Sequence, residues 1–279
     1  MPELPEVETI RLGLTPVLRK QTITKVLVKR HDLRQPIPKD FARRLTGLTI
    51  NRLSRRAKYL LMHFEGQNFC LLIHLGMSGR LLVFAKDMPI DKSPHDHWSF
   101  EFKSGTRLVY RDPRRFGLAL LLEVKDINKH RLLSHLGVEP FDKAFNSDFL
   151  EKMFKGKKVS IKNAIIDQKI IVGVGNIYAS EVLFRTKLSP FKPSGQVSKT
   201  ELQSLVMSLQ IVLQEAIAAG GSTLKDHRRP SGELGYFQFS FKVYDREGLI
   251  CLVCKKKSIE RVVQAGRSTF YCPHCQKLS

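Results

Sequence analysis

Two cysteine pairs constrain this chain more than any other feature: Cys251-x2-Cys254, seventeen residues, then Cys272-x2-Cys275. Each pair lets two thiolates face one ion, and four sulfurs make the tetrahedral set that zinc prefers. Between the pairs, Ser258 to Gln264 and Ser268 to Tyr271 read as two strands joined at Ala265-Gly266. That pattern is a zinc-ribbon hairpin with Arg267 at its tip. All four positions are filled by protein, so the site reads as one structural Zn2+ per chain, with His274 as the alternative ligand. The fifth cysteine, Cys70, stands alone in an apolar run. A disulfide framework would suit an oxidising compartment instead. The acidic start, Met1-Pro2-Glu3-Leu4-Pro5-Glu6, lacks the basic-then-apolar pattern of a signal peptide, and a cytoplasmic protein is expected.

Charge narrows the partner. Forty-seven Lys and Arg against 26 Asp and Glu leave a net +21. Such a balance suits a polyanion, because neutralised phosphates release counterions and supply most non-specific nucleic-acid affinity. The alternative is a chain kept soluble by excess charge. A membrane-surface role would want one long basic amphipathic helix, but the cations sit in short segments such as Arg55-Arg56-Lys58, Arg111-Arg114-Arg115 and Lys255-Lys256-Lys257. No run approaches the roughly 20 apolar residues needed to span a bilayer.

The length suggests two domains, or one with appendages. From about 22 to 125 the chain reads as strands: Val26 to Val28, Tyr59 to Phe64, Phe69 to Leu75, His97 to Phe102 and Arg107 to Tyr110. Turns at Glu65-Gly66 and Lys103-Ser104-Gly105 mark hairpins. Strands without intervening helices predict an antiparallel sandwich or barrel, preceded by a helix from Val7 to Leu14 or a little beyond. After about 130 the spacing turns helical, over Asp148 to Phe154, Ser160 to Ile166, Ile177 to Phe184 and Lys199 to Ala219, where Gly220-Gly221 stops it. Ser222 to Gly235 reads as a mobile polar loop, and short strands are expected from Phe237 onward. The class is therefore α+β.

Two segments carry chemistry. Gly173-Val174-Gly175-Asn176 precedes a helix, with Asn176 as its expected N-cap, and exposed N–H groups at such a start can bind phosphate. A steric need for glycine is the competing reading. At the other end, removal of Met1 would make Pro2 a secondary amine with an ordinary pKa near roughly 8. Its neutral form can attack an aldehyde-like sugar carbon, with Glu3 and Glu6 close by. The plain alternative is that Pro and Glu merely begin a helix well.

Six segments in order resemble the formamidopyrimidine-DNA glycosylase family: Pro2 to Glu8, Arg55 to Leu60, His74 to Gly79, Asp112 to Gly117, Gly173 to Tyr178, and the four-cysteine finger with Gly266-Arg267. The resemblance implies an N-terminal β-sandwich with a flanking helix (1–130). It further implies a helical helix-two-turn-helix domain with a lesion loop (131–237) and a C-terminal zinc-ribbon finger (238–279). It implies a monomeric, nucleoid-associated bacterial enzyme that excises 8-oxoguanine and formamidopyrimidines from double-stranded DNA and then nicks the strand by β,δ-elimination. By the same resemblance, Pro2 attacks C1′, Glu3 is the general acid on the opening sugar, and Glu6 positions the amine. Lys58, Asn176 and Arg267 contact phosphates, with His74 and Tyr178 as further contacts. Met77, Arg114 and Phe116 fill the space left by the extruded base, and the Ser222 to Phe237 segment lies over that base.

Some positions depart from the pattern. Leu249-Ile250 precedes Cys251 where the family often has proline, and Asp245 stands where glycine is common. The sister family, endonuclease VIII, prefers oxidised pyrimidines and typically starts Pro-Glu-Gly-Pro. Leu4 and the Met77/Arg114/Phe116 set favour the purine enzyme. A non-catalytic DNA-binding protein of the same fold is the third reading, and intact Pro2, Glu3 and Lys58 argue against it.

Overall fold

The structure, a computed structural model, describes residues 1–89, 92–222 and 235–277. The chain divides into two compact units, Met1–Ser134 with Ala219–Tyr236, and His135–Ala218 with Phe237–Ser279.

The first unit opens with helix α1, Leu4–Leu18, which starts earlier than its apolar spacing implied. The Glu6 carboxylate reaches back to accept the Glu3 N–H at 2.8 Å, satisfying a donor that the helix start would otherwise leave open. The helix also runs through Pro16 to Leu18. Eight strands follow: β1 Ile23–Val28, β2 Ile50–Arg56, β3 Tyr59–Phe64, β4 Phe69–His74, β5 Arg80–Phe84, β6 Asp96–Phe102, β7 Arg107–Arg111 and β8 Leu118–Glu123, with a short helix α2, Phe41–Leu45, after β1. They form two four-stranded antiparallel sheets, ordered β1-β6-β7-β5 and β2-β3-β4-β8. The expected sandwich is present. β2, β5 and β8 join strands that the apolar runs and Gly-containing turns already mark. One apolar core runs through both sheets and α1, from Val7, Ile10 and Leu14 through Phe41, Met62 and Leu71 to Trp98, Phe100 and Tyr110. The Trp98 and Tyr110 rings stack at 5.2 Å and 9°.

The second unit holds α3 Ser147–Phe154, α4 Ile161–Ile165, α5 Asn176–Arg185 and α6 Lys199–Ala218, then the hairpin β9 Glu260–Gln264 and β10 Arg267–Tyr271. Asn146 caps α3, its side chain accepting the Phe149 N–H, and Ser160 caps α4 in the same way. Helix α6 buries Leu202, Leu205, Leu209, Val212 and Leu213 along one stripe.

Two local expectations change. Asn176 is the first helical residue of α5, and Gly175 is the N-cap. The strands expected directly after Phe237 are replaced by a 3-10 turn, Phe237–Ser240, and further turns. The cause is a side chain: the buried Glu181 carboxylate accepts N–H bonds from Lys242, Val243 and Tyr244 at 2.8–3.0 Å. Donors taken by a carboxylate are lost to a ladder.

Candidate active site and metal centre

In the first unit the amino terminus lies beside a buried carboxylate cluster. Pro2 is buried, and Glu3 and Glu6 are almost wholly so. Glu6 accepts the Glu3 N–H through Oε2 at 2.8 Å, and the Ser222 N–H and Oγ–H through Oε1, both at 2.9 Å. Gly221 makes this approach possible, with a positive φ of 77° and no Cβ to press on the Glu6 side chain. The terminal amine in the structure is that of Met1, one residue ahead of Pro2. Burial pushes it below its ordinary 8.0, Glu3 and Glu6 pull it up, and Lys58 and Arg114 push it down. A lowered value enlarges the neutral, nucleophilic fraction at physiological pH.

Lys58 comes from the two-residue turn between β2 and β3, whose flanking pair is Arg56 and Tyr59. Ala57 takes a positive φ of 53° there. Arg55 ties the turn down, donating to the Ala57 carbonyl at 2.9 Å and to the Glu8 carboxylate of α1 at 3.0 Å. Burial raises the Glu8 pKa, but hydrogen bonds from Arg11 and Arg55 outweigh it and hold the carboxyl low.

His74 closes β4. Its Nδ1 accepts the Gly76 N–H at 3.0 Å, which leaves Nε2–H as the donor. Burial, with Arg34 and Lys58 acting the same way, brings its pKa down to about 4, so the ring is neutral at physiological pH.

Met77, Arg114 and Phe116 sit on two adjoining loops and remain exposed. The Arg114 guanidinium lies 4.8 Å from the Phe116 ring centroid, within cation–π reach. The loops touch at their backbones, for a Cβ on Gly76 would overlap the Phe116 carbonyl carbon.

In the second unit, Asn176 and Arg267 line one cavity of about 470 Å³ together with Tyr244, Asp245, Arg261 and Ser268. The Asn176 Oδ1 is buried there without a hydrogen-bond partner among the described residues. Asp245, the departure from glycine, adopts a φ of 57° that aspartate tolerates better than most side chains. Arg267 follows the Ala265-Gly266 turn and pairs with Gln264. Tyr178 is fully buried on α5, its ring 5.7 Å from Phe237. Sequence reasoning missed Gln168, which braces the glycine turn by accepting the Gly173 N–H at 2.8 Å and donating to the Val174 carbonyl at 2.7 Å. A glutamine five residues before a Gly-x-Gly turn has no sequence signature that separates it from a surface amide.

The four finger sulfurs lie within 4.8 Å of one another, Cys251 to Cys275 at 3.9 Å and Cys254 to Cys272 at 3.6 Å. A tetrahedron of ~2.3 Å Zn–S bonds has edges of ~3.8 Å. The set fits one structural zinc. Gln276 fixes the second pair, accepting the Cys272 N–H and donating to the Leu188 carbonyl, both at 2.9 Å.

Three family models match the chain in order. They are the formamidopyrimidine-DNA glycosylase N-terminal domain over residues 1–119, its H2TH domain over 136–228, and the zinc finger found in FPG and IleRS over 248–278. The chain belongs to the formamidopyrimidine-DNA glycosylase family. The formamidopyrimidine-DNA glycosylase of Rhodospirillum rubrum is 48% identical over 283 residues, covering 99% of this chain and 100% of the relative. Among solved structures, a Lactococcus lactis FPG mutant in complex with a Fapy-dG containing DNA superposes with a TM-score of 0.90 at 32% identity, covering 99% of this chain and 100% of that one. The Thermus thermophilus family member gives a TM-score of 0.85 at 38% identity, with both chains covered completely. The glycosylase family's N-terminal, H2TH and zinc-finger parts are thus all present in one chain.

Proposed function

We infer that this chain is a bifunctional DNA glycosylase/AP lyase that excises oxidised purines, 8-oxoguanine and formamidopyrimidines, from double-stranded DNA through a Schiff base to Pro2. The observation that carries the reading is Pro2, buried at the chain end next to the buried carboxylates of Glu3 and Glu6, with the Lys58 ammonium close enough to act on the terminal amine. Once Met1 is gone, the neutral Pro2 nitrogen attacks C1′ and the glycosidic bond breaks, the base leaving with a proton. Glu3 protonates the ring oxygen as the sugar opens, and an iminium forms. Loss of a C2′ proton expels the 3′ phosphate, a second elimination expels the 5′ phosphate, and water releases the amine. Glu6 holds the amine segment in place. Zinc shapes the finger and takes no part in these steps.

Lys58 and His74 are assigned to phosphates, His74 as a neutral Nε2–H donor, and so are Asn176 and Arg267; Tyr178, expected as a further contact, is fully buried on α5 and has no surface to offer a phosphate. Met77, Arg114 and Phe116 are assigned to the space vacated by the flipped base, Arg114 pairing with the orphaned cytosine. The loop expected over the base, Ser222 to Phe237, falls mostly outside the described residues. The three-part division at 130 and 237, a monomeric state and a cytoplasmic, nucleoid-associated setting belong to the same reading. No helix among the described residues is long and apolar enough to cross a membrane.

Borohydride trapping on a duplex with 8-oxoguanine opposite cytosine tests the reading. A covalent band is expected, and Pro2→Gly should lower its yield by at least ~10²-fold. A band only with an oxidised pyrimidine would transfer the chain to the endonuclease VIII reading. Tight binding without any band, after verified removal of Met1, would leave a DNA-binding protein.

A further inference from the structure

The three exposed residues assigned to the flipped-base gap stand on a buried polar anchor that carries no role so far. Asp112 is completely buried, and each of its carboxylate oxygens is engaged. Oδ1 accepts the Ser78 hydroxyl at 2.5 Å, while Oδ2 accepts the Gly117 N–H at 2.8 Å and the Tyr110 hydroxyl at 3.1 Å. The Asp112 carbonyl accepts His97 Nε2–H at 2.7 Å. Ser78 works in both directions, since the oxygen that donates to Asp112 also accepts the Arg114 N–H at 3.1 Å.

These bonds connect Met77 to Arg114 and Phe116. Ser78 follows Met77 directly, Gly117 follows Phe116 directly, and the Arg114 backbone is held by the Ser78 oxygen itself. The floor under the anchor is rigid. Tyr110 stacks on Trp98, and a Cβ on Gly117 would overlap the Tyr110 hydroxyl. Burial, with Asp112 adding to it, pushes the Tyr110 pKa up, so its hydroxyl remains a donor.

We propose that Asp112 and Ser78 are positioning residues that lock the two loops into one wedge and thereby set the preference for cytosine opposite the lesion. The proposal rests on the reading of Arg114 as the cytosine partner. A bidentate or well-aligned donor discriminates between bases only while its backbone is fixed. Freeing the Arg114 N–H lets the guanidinium follow either opposite base, so discrimination falls more than affinity does. Asp112 and Ser78 touch no reacting atom in this scheme.

The test is binding to a duplex carrying an uncleavable tetrahydrofuran abasic analogue, opposite cytosine or adenine, read as the ratio of the two Kd values. A ratio is insensitive to the fraction of active protein. Ser78→Ala should reduce the ratio about tenfold, toward that of Arg114→Ala, and the double variant should be no lower than Arg114→Ala alone. If Ser78→Ala does not fold, Tyr110→Phe removes one bond to Asp112 while keeping the ring stack, and the ratio should fall two- to fivefold. An unchanged ratio in the folded variant, or additive losses in the double variant, overturns the wedge lock. Because the readout needs no chemistry, failure of wild-type trapping would overturn the catalytic reading without deciding this one.

Discussion

The amino-terminal sandwich and the zinc ribbon both hold polar groups in fixed geometry, but they draw on different sources of rigidity. The sandwich sets its buried acids against a continuous apolar core that runs from Val7 and Leu14 to Trp98, Tyr110 and Ala119. The ribbon cluster is Phe184, Val243, Cys251, Ile259, Phe270 and Cys272, so two of its members are themselves metal ligands. With that little apolar surface, a small module needs a metal to fold. The lesson extends to two buried glutamates, Glu6 and Glu181, each accepting from backbone N–H groups. Glu6 is reached across the sandwich unit by Ser222. Glu181 gathers three consecutive backbone N–H groups just ahead of the ribbon. In one region a carboxylate joins distant segments over an extensive core; in the other it shapes a segment that feeds only a small apolar cluster.

Removing the metal should break the comparison most sharply. A structural zinc supplies on the order of 10 kcal/mol to the folding of such a module. Chelation should release one zinc per chain and melt β9 and β10, while the fluorescence of Trp98, the single tryptophan, stays native because it reports the sandwich core. Simultaneous loss of both signals would show that the sandwich depends on the ribbon after all.

A smaller effect is expected at Lys162, fully buried on α4, whose Nζ donates to the Ser268 carbonyl at 2.9 Å and the Thr269 hydroxyl at 2.7 Å. Lys162→Met leaves those acceptors in a dry interior and should cost ~2–3 kcal/mol, seen as a lower denaturation midpoint. A loss below ~0.5 kcal/mol would mean that zinc alone holds the ribbon in place.

Acid should reach both regions, the ribbon by protonating its thiolates and the sandwich, more gently, through two histidines. Burial lowers the pKa of both His63 and His74 to about 4 from an ordinary 6.5. The unfolded chain therefore takes up these protons first, and their contribution to stability is lost as pH falls from 6.5 toward 4. Thermal melts across that range should show Tm declining, with the slope reduced in His63→Gln. A Tm that rose on acidification would contradict the neutral assignment of both rings.

What was legible in the sequence was local. Cys-x2-Cys spacing names a metal without a fold, because two thiolates three residues apart already face one ion. The apolar stripe of α6 and the hairpin turns need only the period of their own segment. Apolar spacing predicts only part of helix α1, since the Glu3–Glu6 bond that starts it replaces apolar spacing with a capping interaction. The spacing predicts the N-cap of α5 at Asn176, one position too late, because Gly175 can cap through its backbone alone. The six ordered segments were enough to reach the family, as the shared domain models and the relatives show.

Tertiary structure alone decided which polar side chains are buried and what they meet. Ser78 reaches Asp112 across 34 positions, Lys162 reaches Thr269 across 107, and Ser222 reaches Glu6 across 216. A serine, lysine or glutamate looks the same in sequence whether it faces water or an interior partner. Only folding, which removes the water and leaves each group one geometry in which to be satisfied, separates the two cases.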